Sequence, residues 1–404
     1  MYIKSSRIYM EDGCRSGYLE ISGGVFGRFV SHLSPGDDVL DCGDLRIIPG
    51  IFDTHNHGTC GFTLESVGTE QENRKQIVGY LKGCASQGIT SVFPTAHPAL
   101  IRLVAEAAQN PAEGAEICGI HSEGPWLNRV GEKGVRKPYP PADIRVARKI
   151  VEDAQGWLKL VSLAPEIPGI DTLIEYFLSL GVTIGAAHSD NQYQAAMEAY
   201  KKGVSVSTHT GNVMTGMHHR DIGGLGAALT SETVMCEVIC DGLHICNDML
   251  KLYFKIKDFS HFMMISDCTA YSGAPAGTYH IADSGDIRIV TKEGFLLSDT
   301  GRLCGSTQPV LFGIKNLVEN LGLPLETVLL MSSLNPARKY GFGDSKGSIR
   351  FGKHADFAVI TDDYQVKQTY VSGRRVYDSG TEGRIFNKDF LDRKENVEVH
   401  DINN

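Results

Sequence analysis

Eight short apolar runs separated by helix-like stretches constrain this chain more than any other feature. The runs are Ile47 to Phe52, Thr90 to Pro94, Glu116 to Ile120, Leu158 to Leu163, Val182 to Ala187, Val204 to Thr208, Val234 to Cys240 and His261 to Ser266. Most are rich in β-branched residues, as strands buried on both faces are. Between them lie helix-like stretches of about 10 to 15 residues, each with an apolar face broken by charge. They include Glu70 to Gln87, Ala142 to Asp153, Ile170 to Leu180 and Tyr193 to Lys202. Strands alternating with helices build a parallel sheet with crossover helices, so eight units predict an α/β fold, a (β/α)8 TIM-type barrel. A hairpin-like segment around Gly277 to Leu297 and two helices, Val310 to Asn320 and Leu325 to Leu334, follow the last run.

The two ends of the chain read differently. Strand-like pieces with Gly-rich breaks fill the first 45 or so residues and return at 347–373. Their pairing predicts a small β-sandwich domain from residues 1–46 and 347–390, with the barrel at 47–346 inserted and 391–404 as a C-terminal tail. The net charge of −9 argues against a nucleic-acid partner held by bulk electrostatics. With no signal-like segment and no apolar stretch near the roughly 20 residues of a membrane helix, the expectation is a soluble, cytoplasmic protein away from membranes. Ten cysteines without close CxxC pairs point to neither a zinc ribbon nor a disulfide framework, and Cys236 and Cys240 read as small apolar residues of one buried strand.

Barrel enzymes carry their chemistry at the C-terminal ends of the strands. There the chain places His55 and His57 after strand one, Glu123 after strand three, His188 after strand five, His209 after strand six and Asp267 after strand eight. In extended backbone His55 and His57 point to the same side, which makes them a chelating pair. Singly, each has a bland alternative: a hydrogen-bonded structural histidine, or for Asp267 a helix cap. Six metal-competent side chains at equivalent strand ends argue for one site.

These residues sit in longer motifs. The chain reads Pro49-Gly50-Ile51-Phe52-Asp53-Thr54-His55-Asn56-His57-Gly58, then His121-Ser122-Glu123-Gly124-Pro125-Trp126, Ala187-His188-Ser189, Met217-His218-His219-Arg220 and Asp241-Gly242-Leu243-His244. The set resembles the amidohydrolase superfamily and, within it, the N-acetylglucosamine-6-phosphate deacetylase family. The resemblance implies Glu123, His188 and His209 as metal ligands. It also implies His55 and His57 as the pair that in some members completes a second site, giving one or two divalent ions, zinc foremost and iron as the alternative. Asp267 corresponds to the family's general acid/base for hydrolysing an acetamide, the implied reaction yielding acetate and D-glucosamine 6-phosphate. Asn212, Val213, Arg220 and His244 correspond to phosphate-contacting positions, some supplied across a homodimer. The chain departs from the pattern at Lys133-Gly134-Val135-Arg136, where a carbonyl-polarising histidine is usual and Arg136 stands instead. The galactosamine epimer, another amide altogether, and a metal-free sugar-phosphate sensor are the competing readings. Retention of Arg220 and His244 disfavours the second, and the intact rim offers the third no support.

Overall fold

The structure, a computed structural model, describes all residues except 35, 111–112, 131–134, 137–139, 282–284 and 393–404, and the side chains of 129, 130, 135, 136, 391 and 392 are likewise outside it.

Parallel strands form a curled sheet in two runs. In the first, Ile51–Asn56 pairs with Ile89–Pro94, which pairs with Glu116–Ile117. In the second, Ile120–Glu123, Leu158–Leu163, Thr183–Ala186, Val204–Ser207, Met235–Ile239 and Phe262–Ile265 follow in chain order. Isolated parallel bridges join the runs at both ends, Thr95 to His121 and Asn56 to Cys268. Beside the second bridge the Asp267 N–H donates to the His55 carbonyl at 2.9 Å. The side-chain seam is stronger still: buried Asp53 accepts from Ser266 Oγ at 2.6 Å and from Asn56 Nδ2 at 3.0 Å. Helices between the strands bury their apolar faces on the sheet, Ile77, Leu81, Val104, Ile150 and Phe177 among them. Each such side chain contributes about 1.5–3 kcal/mol when removed from water. The helix Glu70–Ser86 begins in a capping box between Thr69 and Glu72, which satisfies two of the N–H groups a helix start leaves open.

The chain ends meet in one eight-stranded sheet, ordered Arg374–Asp378, Val366–Val371, Phe357–Ile360, Arg46–Pro49, Tyr2–Met10, Gly13–Ser22, Val25–Val30, with Val39–Asp41 also on Tyr2–Met10. Its own apolar cluster includes Ile3, Ile8, Leu19, Phe26, Ile47 and Phe357. Lys346, at 2.7 Å from both Glu116 and Asp356, ties this sheet to the parallel one.

Two predicted strands are corrected. The apolar run Ile47 to Phe52 is not one strand: Arg46–Pro49 pairs with Phe357–Ile360 in the terminal sheet, and Ile51–Asn56 begins the parallel one. Gly50 is the hinge, packed so closely that an added Cβ would lie 2.1 Å from Thr90 Oγ1. The run Glu116 to Ile120 is likewise split, 116–117 facing one neighbour and 120–123 the other. The hairpin-like segment proves to be a four-stranded antiparallel sheet, Gly277–His280, Ile287–Val290, Phe295–Ser298 and Leu303–Ser306. Leu325–Leu329 continues into a π-helical turn, Leu330–Leu334, and a short helix, Lys388–Asp392, crosses the expected boundary between the β domain and the tail.

Candidate metal centre

At the C-terminal end of the curled sheet the six predicted residues come together. Glu123 is the centre. Its Oε1 lies 3.1 Å from His188 Nε2 and 3.0 Å from His209 Nε2. Its Oε2 faces the other pair, 3.1 Å from His57 Nε2 and 3.6 Å from His55 Nε2. Asp267 Oδ1 closes that side at 3.4 Å from both His55 Nε2 and His57 Nε2. Two three-residue groups result, Glu123 with His188 and His209, and His55 with His57 and Asp267.

The donor set fits divalent ions. Within each pair the Nε2 atoms are 3.2 Å apart, both in His188/His209 and in His55/His57. Two neutral imidazole nitrogens presenting lone pairs to each other repel, so a cation or proton must lie between them. Ligand atoms about 2.1 Å from one ion sit about 3.0–3.4 Å from each other in tetrahedral or octahedral geometry, which is the spacing found. The ion-pair partners of Glu123 and Asp267 among the described residues are histidines, with no Lys or Arg. Without a bound ion, the centre would meet its negative charge with protons on the histidines. Burial opposes charging His57, but hydrogen bonds to Asp267 and Glu123 prevail and raise its pKa to about 9. Burial likewise pushes the Asp267 and Glu123 carboxyls up, yet the charged His55 and its neighbours hold both well below the usual carboxylate range.

Backbone strain gathers here. His188, His209, Asp267 and Val213 have φ of 50°, 31°, 49° and 49°, a region that side chains with a Cβ avoid and β-branched Val avoids most. Strained residues persist where surrounding structure over-determines them. At Asp267 that structure is the bond to His55 and a second one, from Ser306 N–H to the Asp267 carbonyl at 2.8 Å. Beneath the rim, His121 is fully buried; burial first, then the charge on His55, drives its pKa well below the ordinary value. Its ring contacts Thr95 Oγ1 at 3.1 Å and Ser162 Oγ at 2.7 Å, and Ser162 continues to Thr208 at 2.8 Å. His121 is thus a neutral structural histidine of this layer.

A cavity of about 870 Å³ opens over the centre, lined by His57, Glu123, His188, His209 and Asp267 and by three of the predicted substrate positions, Asn212, Val213 and His244. Asn212 is buried, with no hydrogen-bond partner for its Nδ2. Asp241 orients His244 through Nδ1 at 2.7 Å. Arg220 is not in this group: it lies in the exposed stretch 216–220 and does not line its own chain's cavity. Arg136 is in a two-residue strand, Val135–Arg136, paired with Arg129–Val130, but its side chain falls outside the described residues. Sequence reasoning missed Arg288 and Arg302, which reach the cavity from the antiparallel sheet. It also missed Glu237, which adjoins His55 from strand seven. A third cluster of Glu116, His354 and Asp356 already holds the Lys346 ammonium.

Residues 46–376 match the amidohydrolase family. The chain belongs to that family. Over 358 residues this amidohydrolase is 30% identical to the N-acetylglucosamine-6-phosphate deacetylase of Vibrio furnissii, covering 86% of this chain and 87% of the relative. It is 27% identical to the N-acetylgalactosamine-6-phosphate deacetylase of Escherichia coli O157:H7, covering 92% and 98%. Among solved structures it resembles a mutant N-acetyl-D-glucosamine-6-phosphate deacetylase from Mycobacterium smegmatis in complex with N-acetyl-D-glucosamine-6-phosphate. That likeness has a TM-score of 0.79 at 26% identity, over 93% of this chain and 99% of the other. Family and clusters together support divalent metal use by this amidohydrolase.

Proposed function

We propose that the protein hydrolyses the acetamide of N-acetyl-D-glucosamine 6-phosphate, giving D-glucosamine 6-phosphate and acetate. The observation that carries the reading is Glu123 presenting one oxygen to each of two histidine pairs, with Asp267 beside one of them, at the floor of a cavity roomy enough for a sugar phosphate. His188, His209 and Glu123 would hold one ion and His55, His57 and Asp267 a second, and zinc suits that imidazole and carboxylate set. When bound, the ion supplies Lewis acidity that polarises an amide carbonyl and acidifies water. Asp267 accepts the proton of the attacking water and returns it to the amine nitrogen as the C–N bond breaks, because an amine leaves only when protonated. The fold that supports this is a closed (β/α)8 barrel that begins with Ile51–Asn56, beside a small β domain, sandwich-like in our reading, built from the two chain ends and including Arg46–Pro49.

Asn212, the Val213 backbone and His244 bind the substrate's phosphate end, and Arg136 takes the place of the usual carbonyl-polarising histidine. Arg220 acts on the phosphate of a neighbouring protomer in a homodimer. Its exposure and its absence from its own cavity support that assignment, and a guanidinium offers phosphate a bidentate partner. A cytoplasmic location belongs to the same reading, since sugar phosphates are intracellular metabolites; no described helix is long and apolar enough to cross a membrane.

Arg220→Ala is expected to raise KM for the phosphorylated sugar by about 10- to 100-fold, the loss of about 1.4–3 kcal/mol expected for a hydrogen bond to a charged group. It should leave the unphosphorylated sugar unaffected. Co-expressing Arg220→Ala with Asp267→Asn chains checks the subunit assignment. One site of each hybrid dimer regains the wild-type KM for the phosphorylated sugar if Arg220 serves the partner, and every active site keeps the raised KM if it serves its own chain.

A further inference from the structure

Glu237 has no place in the reaction as described, yet it is a fully buried acidic side chain beside a residue of the centre. It stands in the strand Met235–Ile239 with 0% exposure and does not line the cavity, so it cannot exchange protons with a substrate. One oxygen is satisfied: Oε1 accepts from Thr54 Oγ1 at 3.0 Å. The other, Oε2, has no hydrogen-bond partner, and neither has the buried Nδ1 of His55. These two unmet atoms face each other at 3.5 Å.

A buried carboxylate oxygen without a donor is costly, and an imidazole that binds an ion through one nitrogen needs a partner on the other to fix its tautomer. His55 directs Nε2 at the centre, so its proton belongs on Nδ1, in front of Glu237 Oε2. We propose that Glu237 is the positioning residue of the metal centre: it accepts the His55 Nδ1–H, holds the imidazole with Nε2 toward the ion, and is itself steadied by Thr54. The present separation exceeds a hydrogen bond, and a small rotation of the ring closes it. Glu237 also connects the two halves of the centre, because its carbonyl accepts from Thr210 N–H at 2.7 Å, one residue beyond His209.

The inference rests on His55 being a metal ligand, so the experiment carries a control for that. Zinc affinity is measured by competition with a chromophoric chelator for the full-length protein and for Glu237→Gln, Thr54→Val and His55→Asn. Downfield ring N–H resonances of the zinc-loaded proteins are recorded in parallel. Expected is a 10- to 100-fold loss of affinity at one site in Glu237→Gln, a smaller loss in Thr54→Val, and the largest in His55→Asn. The Nδ1–H resonance should disappear in His55→Asn and move upfield in Glu237→Gln, a change that a merely structural role would not produce. Wild-type affinity and an unmoved resonance in Glu237→Gln, with His55→Asn impaired, overturn the assignment of Glu237. Wild-type affinity in His55→Asn overturns the ligand set and this inference with it. Should Glu237→Gln fail to fold, Thr54→Val decides, and unchanged affinity there contradicts the proposal.

Discussion

Asp267→Asn is expected to lower kcat by about 10²- to 10⁴-fold, or about 3–5 kcal/mol of transition-state stabilisation, with KM changed little. The amide has the shape of the carboxyl and keeps the backbone bonds to His55 and Ser306 that hold the strained φ, so the fold should survive. What it loses is the ability to accept a proton and hand it on. Because Asp267 also lies 3.4 Å from His55 and His57, metal content must be measured with the kinetics. A large fall in kcat with the metal retained supports proton transfer. A fall that tracks metal loss, restored by excess ion, would make Asp267 a ligand only and contradict its role as acid and base.

Removing the metal should be as damaging, and it should change how stability depends on pH. Chelation is expected to abolish turnover, and Glu123→Ala to lower kcat/KM by more than about 10³-fold even in excess ion, since metal chemistry and both histidine pairs lose their common carboxylate. In the metal-free protein His57 has its pKa raised to about 9 by Asp267 and Glu123, against the opposing effect of burial. A group whose folded pKa is raised stabilises the fold fully below its unfolded pKa, about 6.5 for histidine, and that contribution fades as pH climbs through the folded value. The Tm of the metal-free protein should therefore fall between about pH 6.5 and 9.5. The metal-loaded protein, whose carboxylates are neutralised by the ion, should show a shallower dependence over the same window, and apparent metal affinity should rise with pH as protons cease to compete. Parallel slopes for the two forms would contradict this account of the centre.

The rim of the site was legible from the sequence because strand-end position is itself a constraint: His55, His57, Glu123, His188, His209 and Asp267 each follow an apolar run, and the structure brings all six together. The strand breaks at Gly50 and after Ile117 had local signals in Pro49-Gly50 and Gly119, but that each half joins a different neighbour depends on contacts far away in the chain. Glu237 was hidden for a related reason. It is one acidic residue within Val234 to Cys240, and its partner His55 is far away in the chain, so no local pattern marks it. Arg288 lies in the strand Ile287–Val290 and Arg302 in the turn between Phe295–Ser298 and Leu303–Ser306, and their place over the cavity comes from the antiparallel pairing, which spacing alone does not predict.

The most direct test is steady-state acetate release by the zinc-reconstituted protein with N-acetylglucosamine 6-phosphate, its galactosamine epimer and unphosphorylated N-acetylglucosamine side by side. The expected result is a kcat/KM of about 10⁴ M⁻¹s⁻¹ or more for N-acetylglucosamine 6-phosphate, and far less for the other two. Preference for the epimer would move the substrate assignment to the galactosamine series. Failure to turn over any of the three, with metal bound, would contradict the sugar-phosphate reading itself.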